Sequence, residues 1–311
     1  MTSITITLLG TTAGVPTRAR NHAAIHVSYK GREEWNGLFD CGEGTQRQIF
    51  LTEHVNFMRI SDIFISHWHA DHFIGLPGLL QTMSLEQRQP PLKVYGPECR
   101  RWMDMILNLG YQMHRFPVLA HDVEFHGTEI AVVLDTEEFQ VLSIPTKHGV
   151  PAVSYAFVEK DRVKIDVTKA TKLGLPEKGV IYKKIKEKGE AEFKGKKVRL
   201  ADIMTVEKGK KIVYSGDTLP SKTVVKLAQN ADLLIHDSTL FEDAEAMAAA
   251  EKDFRHATFD EVLKIAKEAN VKQLVLTHIS RRYQDTKELE DEIAKHKNVR
   301  LGKDFMKIVL E

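Results

Sequence analysis

Four short runs rich in Val, Ile and Leu each lead into a histidine or an aspartate, and this repeated feature constrains the fold more than any other. Ile63–Ser66 runs into the string HWHADH (67–72), Val141–Pro145 is followed by His148, Ile212–Ser215 by Asp217, and Leu274–Thr277 by His278. Short apolar runs bounded by polar clusters are the pattern of strands buried on both faces. Further candidates are Ile4–Leu9, Ala23–Val27, Gly37–Phe39, Val94–Tyr95, Val153–Phe157 and Leu233–His236. Helical patterns lie between them at 73–87, 98–109, 221–229 and 287–295, and another begins at Thr258, whose hydroxyl can cap it with Glu261 three residues on. Strands and helices alternate through both halves of the chain, which predicts an α/β architecture. In such sheets the strand ends form a common rim where chemistry collects, so side chains as distant in sequence as His67 and His278 can meet there.

HWHADH places His67, His69, Asp71 and His72 on the loop leaving a buried strand. Neutral imidazoles at His67 and His69 suit zinc, and Asp71 with His72 can face a second ion nearby. With His148, Asp217 and His278 there are seven ligand-type side chains predicted to converge. Two ions roughly 3.5–4 Å apart are a recurrent arrangement for hydrolysing phosphate esters. Only Cys41 and Cys99 are present, without the CxxC spacing of a thiolate site, so a metal here must rest on His and Asp. So few cysteines also fit a reducing compartment. Residues 1–20 lack a basic flank followed by a long apolar run, and no window approaches the roughly 20 apolar residues of a membrane span. A cytoplasmic protein without membrane attachment is the expectation.

The net charge of +1 hides a polarity: residues 160–211 carry 17 Lys or Arg against 8 Asp or Glu, and the rest of the chain 27 against 35. A cationic stretch on an acidic body fits a polyanionic partner, of which RNA is the commonest. The stretch 165–211 includes KKIKEKGE (183–190) and KGKK (194–197) and lacks a sustained apolar period. It reads as an arm projecting from the core and not as a separately packed domain, and a loop this long without its own core is usually functional or disordered. A chain of 311 residues with 42% hydrophobic residues can bury a substantial core. The expectation is therefore one domain over 1–311 with a flexible basic arm inserted at 165–205.

HWHADH resembles the HxHxDH signature of the metallo-β-lactamase superfamily, and His148, Asp217 and His278 follow in the expected order. The resemblance covers nearly the whole chain and implies an αββα sandwich with two zinc ions per subunit in a cleft between the sheets. Mn2+, Fe2+ or Co2+ also bind such ligands. The resemblance implies that His67, His69 and His148 hold one ion, that Asp71, His72 and His278 hold the other, and that Asp217 bridges them.

Within that superfamily four features resemble the ribonuclease Z family. LLGTTAGVPTRARN (8–21) and FDCGEGTQRQ (39–48) are similar to that family's opening, whose basic loop, here with Arg18, Arg20 and Asn21, is implied to lie beside the tRNA 3′ end. The basic arm occupies the interval where the family inserts its tRNA-gripping exosite, and Gly174-Leu175-Pro176, Gly179 and Tyr182 are similar to it. HDST (236–239) and HAT (256–258) resemble the family's paired HEAT and HST loops. They imply His256 as proton donor to the leaving oxygen, with His236 and Asp237 supporting it, and Asp237 stands where the family usually has Glu. HISRRY (278–283) is similar to a segment implied to contact the scissile phosphate through Ser280, Arg282 and Tyr283.

The implied activity is removal of the 3′ trailer from precursor tRNA, with Asp71 orienting the attacking water, to leave a 3′-hydroxyl on the tRNA and a 5′-phosphate on the trailer. The family also implies a homodimer in which one subunit's arm serves the other's cleft. The rival enzyme readings are a small-molecule phosphodiesterase or a thioesterase of the same fold, neither of which needs a strongly basic arm. A metal-free RNA-binding scaffold is the rival of another class, and the full set of ligand types argues against it.

Overall fold

Most of the apolar runs become strands of two seven-stranded sheets. The computed structural model describes residues 2–111, 115–241, 256–283 and 286–311. Strands β1 (Ser3–Gly10), β2 (Ala24–Lys30), β3 (Glu34–Phe39), β4 (Asp62–Phe64), β5 (Leu92–Gly96) and β6 (Val118–Asp122) come first, and β7 (Ala131–Asp135), β8 (Phe139–Pro145) and β9 (Val153–Glu159) follow. Four short strands lie in the basic stretch: β10 (Arg162–Ile165), β11 (Glu190–Phe193), β12 (Lys196–Arg199) and β13 (Met204–Glu207). After it come β14 (Lys211–Tyr214), β15 (Leu233–Asp237), β16 (Leu274–Thr277), β17 (Val299–Leu301) and β18 (Lys307–Leu310). One sheet has the order β18-β1-β2-β3-β4-β5-β6 and the other β17-β16-β15-β14-β9-β8-β7. Strands β3 to β6 run parallel, as do β14 to β17, so the loops after β3 and β4 leave one sheet together and those after β14, β15 and β16 leave the other.

Ile6, Leu8, Phe39 and Phe64 of the first sheet share one buried cluster with Phe139, Tyr155, Phe157 and Val275 of the second. Fully burying a side chain of this size stabilises the fold by about 1.5–3 kcal/mol. The outer face of the first sheet is covered by Leu79, Met83 and Met103 from helices Leu76–Leu85 and Cys99–Leu107. Val224, Val262 and Ile293, from helices Lys222–Ala228, Phe259–Glu268 and Lys287–Ile293, cover the outer face of the second. The result is an αββα sandwich. The Thr258 cap forms, with Glu261 Oε2 accepting from the Thr258 backbone N–H at 2.9 Å.

Three features differ from the sequence expectation. The single helix predicted over 73–87 is two, Ala70–Phe73 and Leu76–Leu85. They separate at Gly75, where a Cβ would lie 2.0 Å from the Gly42 carbonyl oxygen. Strands β6, β7, β17 and β18 had no counterpart in the apolar runs, and all four are sheet edges. Finally, residues 159–210 form a compact unit of their own, the rest of the chain (1–158 and 211–311) forming another. Antiparallel pairs β10/β13 and β11/β12 and three short helices enclose Ala170, Leu175, Ile185, Val198 and Ile203. The expectation of a coreless arm is thus corrected: these five side chains come from well-separated positions and make no period along the chain. Among the described residues no helix is long and apolar enough to cross a membrane.

Candidate metal centre

Each putting-together of the site begins at a strand end. His67 lies three residues beyond the end of β4, and the loop carrying it is pinned where the Tyr155 hydroxyl donates to the Ile65 carbonyl at 2.9 Å and the Val153 N–H to the Ser66 carbonyl at 3.0 Å. Asp217 follows β14 through Gly216, whose φ of 59° places it in the left-handed region, and a Cβ there would lie 2.8 Å from the Ser66 Cβ. His278 directly follows β16 and Asp40 directly follows β3, with φ of 58° and 57°. Left-handed backbone at a non-glycine residue costs on the order of 1–3 kcal/mol and persists only where the surroundings dictate it.

All seven predicted ligand side chains meet. His69 Nδ1 is 3.0 Å from His67 Nε2 and 3.1 Å from His148 Nε2. On the other side His72 Nε2 is 3.4 Å from His278 Nε2, and Asp71 Oδ2 is 3.4 Å from the same His278 nitrogen. Asp217 sits between the two groups: its Oδ2 lies 3.2 Å from His72, 3.3 Å from His278, 3.7 Å from His67 and 4.0 Å from His148. A third cluster, Asp217, Asp237, His256 and His278, is also close enough to hold an ion. Asp237, however, is already saturated, because Oδ1 accepts from the Thr239 hydroxyl at 2.7 Å and Oδ2 pairs with His256 Nδ1 at 2.7 Å. Within that third cluster Asp237 is thus engaged by Thr239 and His256.

The donor set fits divalent cations. Adjacent imidazole nitrogens at 3.0 and 3.1 Å can share at most one proton per pair, and burial followed by the neighbouring His72 drives His67 well below the usual imidazole value. Neutral imidazole is the metal-binding form. Asp217 Oδ1 is buried without a hydrogen-bond partner, which is costly for a carboxylate unless a cation answers it. Burial alone would lower His278, but Asp217, Asp237 and Asp71 carry it up to about 10. A divalent ion competes with that proton, so its affinity rises with pH and its uptake releases protons.

Sequence reasoning passed over the group that orients these ligands. Asp40, fully buried, accepts from the Ser66 N–H at 2.7 Å, the Ser66 hydroxyl at 2.8 Å and the Tyr214 hydroxyl at 2.7 Å, and its Oδ2 is 2.7 Å from His72 Nδ1. A carboxylate on the far nitrogen of a ligating histidine fixes its ring and its tautomer. Asp40→Asn is expected to weaken metal affinity about 10–100-fold, read by competition with a chromogenic chelator. Thr239 plays a similar part, its hydroxyl lying 2.9 Å from His278 Nδ1. Asp40 stands in the FDCGEG string and Thr239 in HDST, so both were within quoted motifs, but nothing in a motif distinguishes a ligand from its support.

Comparison with known proteins identifies the frame. Residues 36–279 match the beta-lactamase superfamily domain. Over 310 residues the chain is 40% identical to ribonuclease Z of Methanosarcina acetivorans, covering 97% of each chain. It is 39% identical over 309 residues to ribonuclease Z of Archaeoglobus fulgidus, covering 97% and 96% respectively. The chain belongs to the ribonuclease Z family. The crystal structure of the short form of human tRNase Z matches it with a TM-score of 0.67 at 30% identity, over 98% of each chain.

In this ribonuclease Z-family chain the ligands open into a cleft of about 350 Å³, lined also by Gly14, His256, Ser280, Arg281 and Arg282. Of the predicted RNA contacts, Ser280 and Arg282 reach the cleft, and Arg18 is exposed on the 15–20 loop without lining it. Three others of the predicted contacts are engaged within the protein. Arg20 is 8% exposed, with Nη1 donating to the Thr11 hydroxyl at 2.7 Å and the Gly302 carbonyl at 2.5 Å, so it braces the loop. Asn21 likewise donates to the Glu43 carbonyl at 2.7 Å. The Tyr283 hydroxyl accepts from the Phe241 N–H at 3.0 Å and its ring meets the Phe241 ring edge-on, so it supports the wall. Arg281, one position from the predicted Arg282, lines the cleft and was not foreseen. His236 is fully buried with Nδ1 2.7 Å from the Asp237 carbonyl oxygen, and it does not line the cleft.

Proposed function

We propose that this chain is a zinc-dependent endoribonuclease of the cytoplasm that removes the 3′ trailer from precursor tRNA, leaving a 3′-hydroxyl on the tRNA and a 5′-phosphate on the trailer. One observation carries the reading: two ligand groups join at Asp217, and the His256–Asp237 pair lies against the same cleft. His67, His69 and His148 would hold one zinc ion and Asp71, His72 and His278 the other, with Asp217 shared between them. When bound, such ions supply Lewis acidity and bring the pKa of water from about 15.7 towards about 7.

The protein's own groups do the rest. Asp71, kept ionised, orients the attacking water by accepting a hydrogen bond from it, and the Gly14 N–H, donating to its Oδ2 at 2.9 Å, holds that carboxylate in place. Burial alone would raise the Asp71 pKa, but the hydrogen bond from His278 and the adjacent imidazoles hold it well below the usual carboxylate range. His256 protonates the departing 3′ oxygen. Burial pulls its pKa down, and Asp237 at 2.7 Å outweighs that effect and raises it above the usual imidazole value, which favours the proton-donating form. Arg281 and Arg282 offer cations to the non-bridging phosphate oxygens. Water is the nucleophile in place of the ribose 2′-hydroxyl, so no cyclic phosphate forms.

The basic unit at 159–210 is proposed to grip tRNA phosphates away from the reacting bond, and a homodimer in which each unit serves the partner's cleft belongs to the same reading. Deleting residues 165–205 is expected to raise the KM for precursor tRNA about tenfold or more and to flatten its salt dependence. Hydrolysis of a small aryl phosphodiester should remain nearly intact. Equal loss of both activities would assign the unit a structural role, and a monomer in analytical ultracentrifugation would remove the dimer.

A further inference from the structure

A second cationic surface lies at the opposite end of the strands that carry Asp237 and His278. A groove of about 490 Å³ opens where β16 and β17 begin, beside the end of helix Phe259–Glu268. Its floor is apolar, with Leu263, Val271 and Val299 partly buried against the core. Five lysines, Lys264, Lys267, Lys272, Lys295 and Lys297, line it, and no Asp or Glu does. Lys272 pairs with Asp232 at 2.7 Å and Lys295 pairs with Glu292. Lys264, Lys267 and Lys297 are exposed and take part in no ion pair among the described residues.

This is a local inversion of charge, because outside 160–211 the chain carries 27 cationic residues against 35 anionic ones. The three lysines without an ion pair, Lys264, Lys267 and Lys297, repel one another, and a polyanion relieves that repulsion. The apolar floor narrows the choice further. Single-stranded nucleic acid offers phosphates to a cationic rim and base faces to an apolar surface, whereas a duplex keeps its base faces stacked inside. His296 also lines the groove, its half-buried ring set edge-on against Phe259.

We infer that this groove binds single-stranded RNA, and that its occupant is the 3′ trailer beyond the scissile bond. The inference rests on the endoribonuclease reading, since the trailer is the single-stranded part of a precursor whose acceptor end is paired. The four residues of β16 separate the groove from His278 by about 13 Å of sheet, so a very short trailer does not reach it. The groove therefore favours long trailers and leaves the shortest ones unaffected.

The test has two parts and uses the full chain. Lysine acetylation is followed by mass spectrometry with and without an oligouridylate of about fifteen nucleotides, a length that spans such a groove. Lys264, Lys267 and Lys297 should lose reactivity on RNA addition, while the exposed Lys30 on another face keeps it. Unprotected groove lysines overturn the inference, and so does stronger protection by oligoglutamate, which would assign the groove to an acidic protein. In the second part, K264A/K267A/K297A is compared with wild type on precursors with trailers of about two and about fifteen nucleotides. The KM for the long trailer should rise about tenfold and its log–log salt slope should fall by about two, given roughly 0.7 per single-strand phosphate contact. The KM for the short trailer should not move, and K264R/K267R/K297R should behave as wild type. Equal effects on both trailers overturn the inference. Wild-type protein inactive on both precursors would sink the ribonuclease reading, while the acetylation pattern would still decide the groove.

Discussion

Asp217→Ala is expected to strip divalent metal from the protein and to lower precursor tRNA cleavage by about four orders of magnitude or more. Its Oδ2 lies within 4.0 Å of His67 and His148 in one ligand group and of His72 and His278 in the other. Removing it leaves five imidazoles with Asp71 as their one carboxylate, and Asp71 lies beside His72 and His278 only, at 3.6 and 3.4 Å. Metal analysis by mass spectrometry and single-turnover cleavage read the two effects together. Asp217→Asn keeps the shape of the side chain and removes its charge, which separates loss of metal from loss of folding. An Asn variant that retains its metal and activity within about tenfold of wild type would refute the shared-carboxylate arrangement.

The second large effect belongs to His256. His256→Ala should slow cleavage of precursor tRNA about 10²–10⁴-fold, the usual contribution of a positioned general acid. The same variant should hydrolyse an aryl phosphodiester almost normally, because a nitrophenolate leaves without being protonated. Asp237→Ala should act in the same direction, since Asp237 holds His256 Nδ1 at 2.7 Å but does not itself line the cleft. Comparable losses on RNA and on the aryl ester would move His256 from proton donor to structural support.

How much of this was legible depended on what each residue does. The ligands could be read because they stand at the ends of buried runs, and parallel strands carry such ends to one rim. The central strands were legible for the same reason: both their faces are apolar. Strands β6, β7, β17 and β18 escaped because an edge strand is half exposed, as the alternation at Ala131–Asp135 shows, with Val132 58% exposed. The core at 159–210 escaped because Ala170, Leu175, Ile185, Val198 and Ile203 make contact only once the strand pairs have formed.

The support of the site was less legible still. Asp40 and Thr239 act through hydrogen bonds to histidines distant in sequence, and no local spacing marks such a partner. The basic loop misled in the opposite sense. Arg18 and Arg20 look alike in sequence, yet one guanidinium is exposed and the other is buried against Thr11 and Gly302. A motif gives the residue type, and only packing decides which groups are already engaged.

The central claim is that these seven side chains turn water into the nucleophile at one phosphodiester of a precursor tRNA. The most direct measurement is end analysis of a 3′-extended tRNA after incubation with wild-type protein, with chelator-treated protein and with Asp71→Ala. A single cut next to the acceptor stem is predicted, giving a 3′-hydroxyl and a 5′-phosphate, absent from both controls. A 2′,3′-cyclic phosphate, or an undiminished cut by chelated protein, would contradict it.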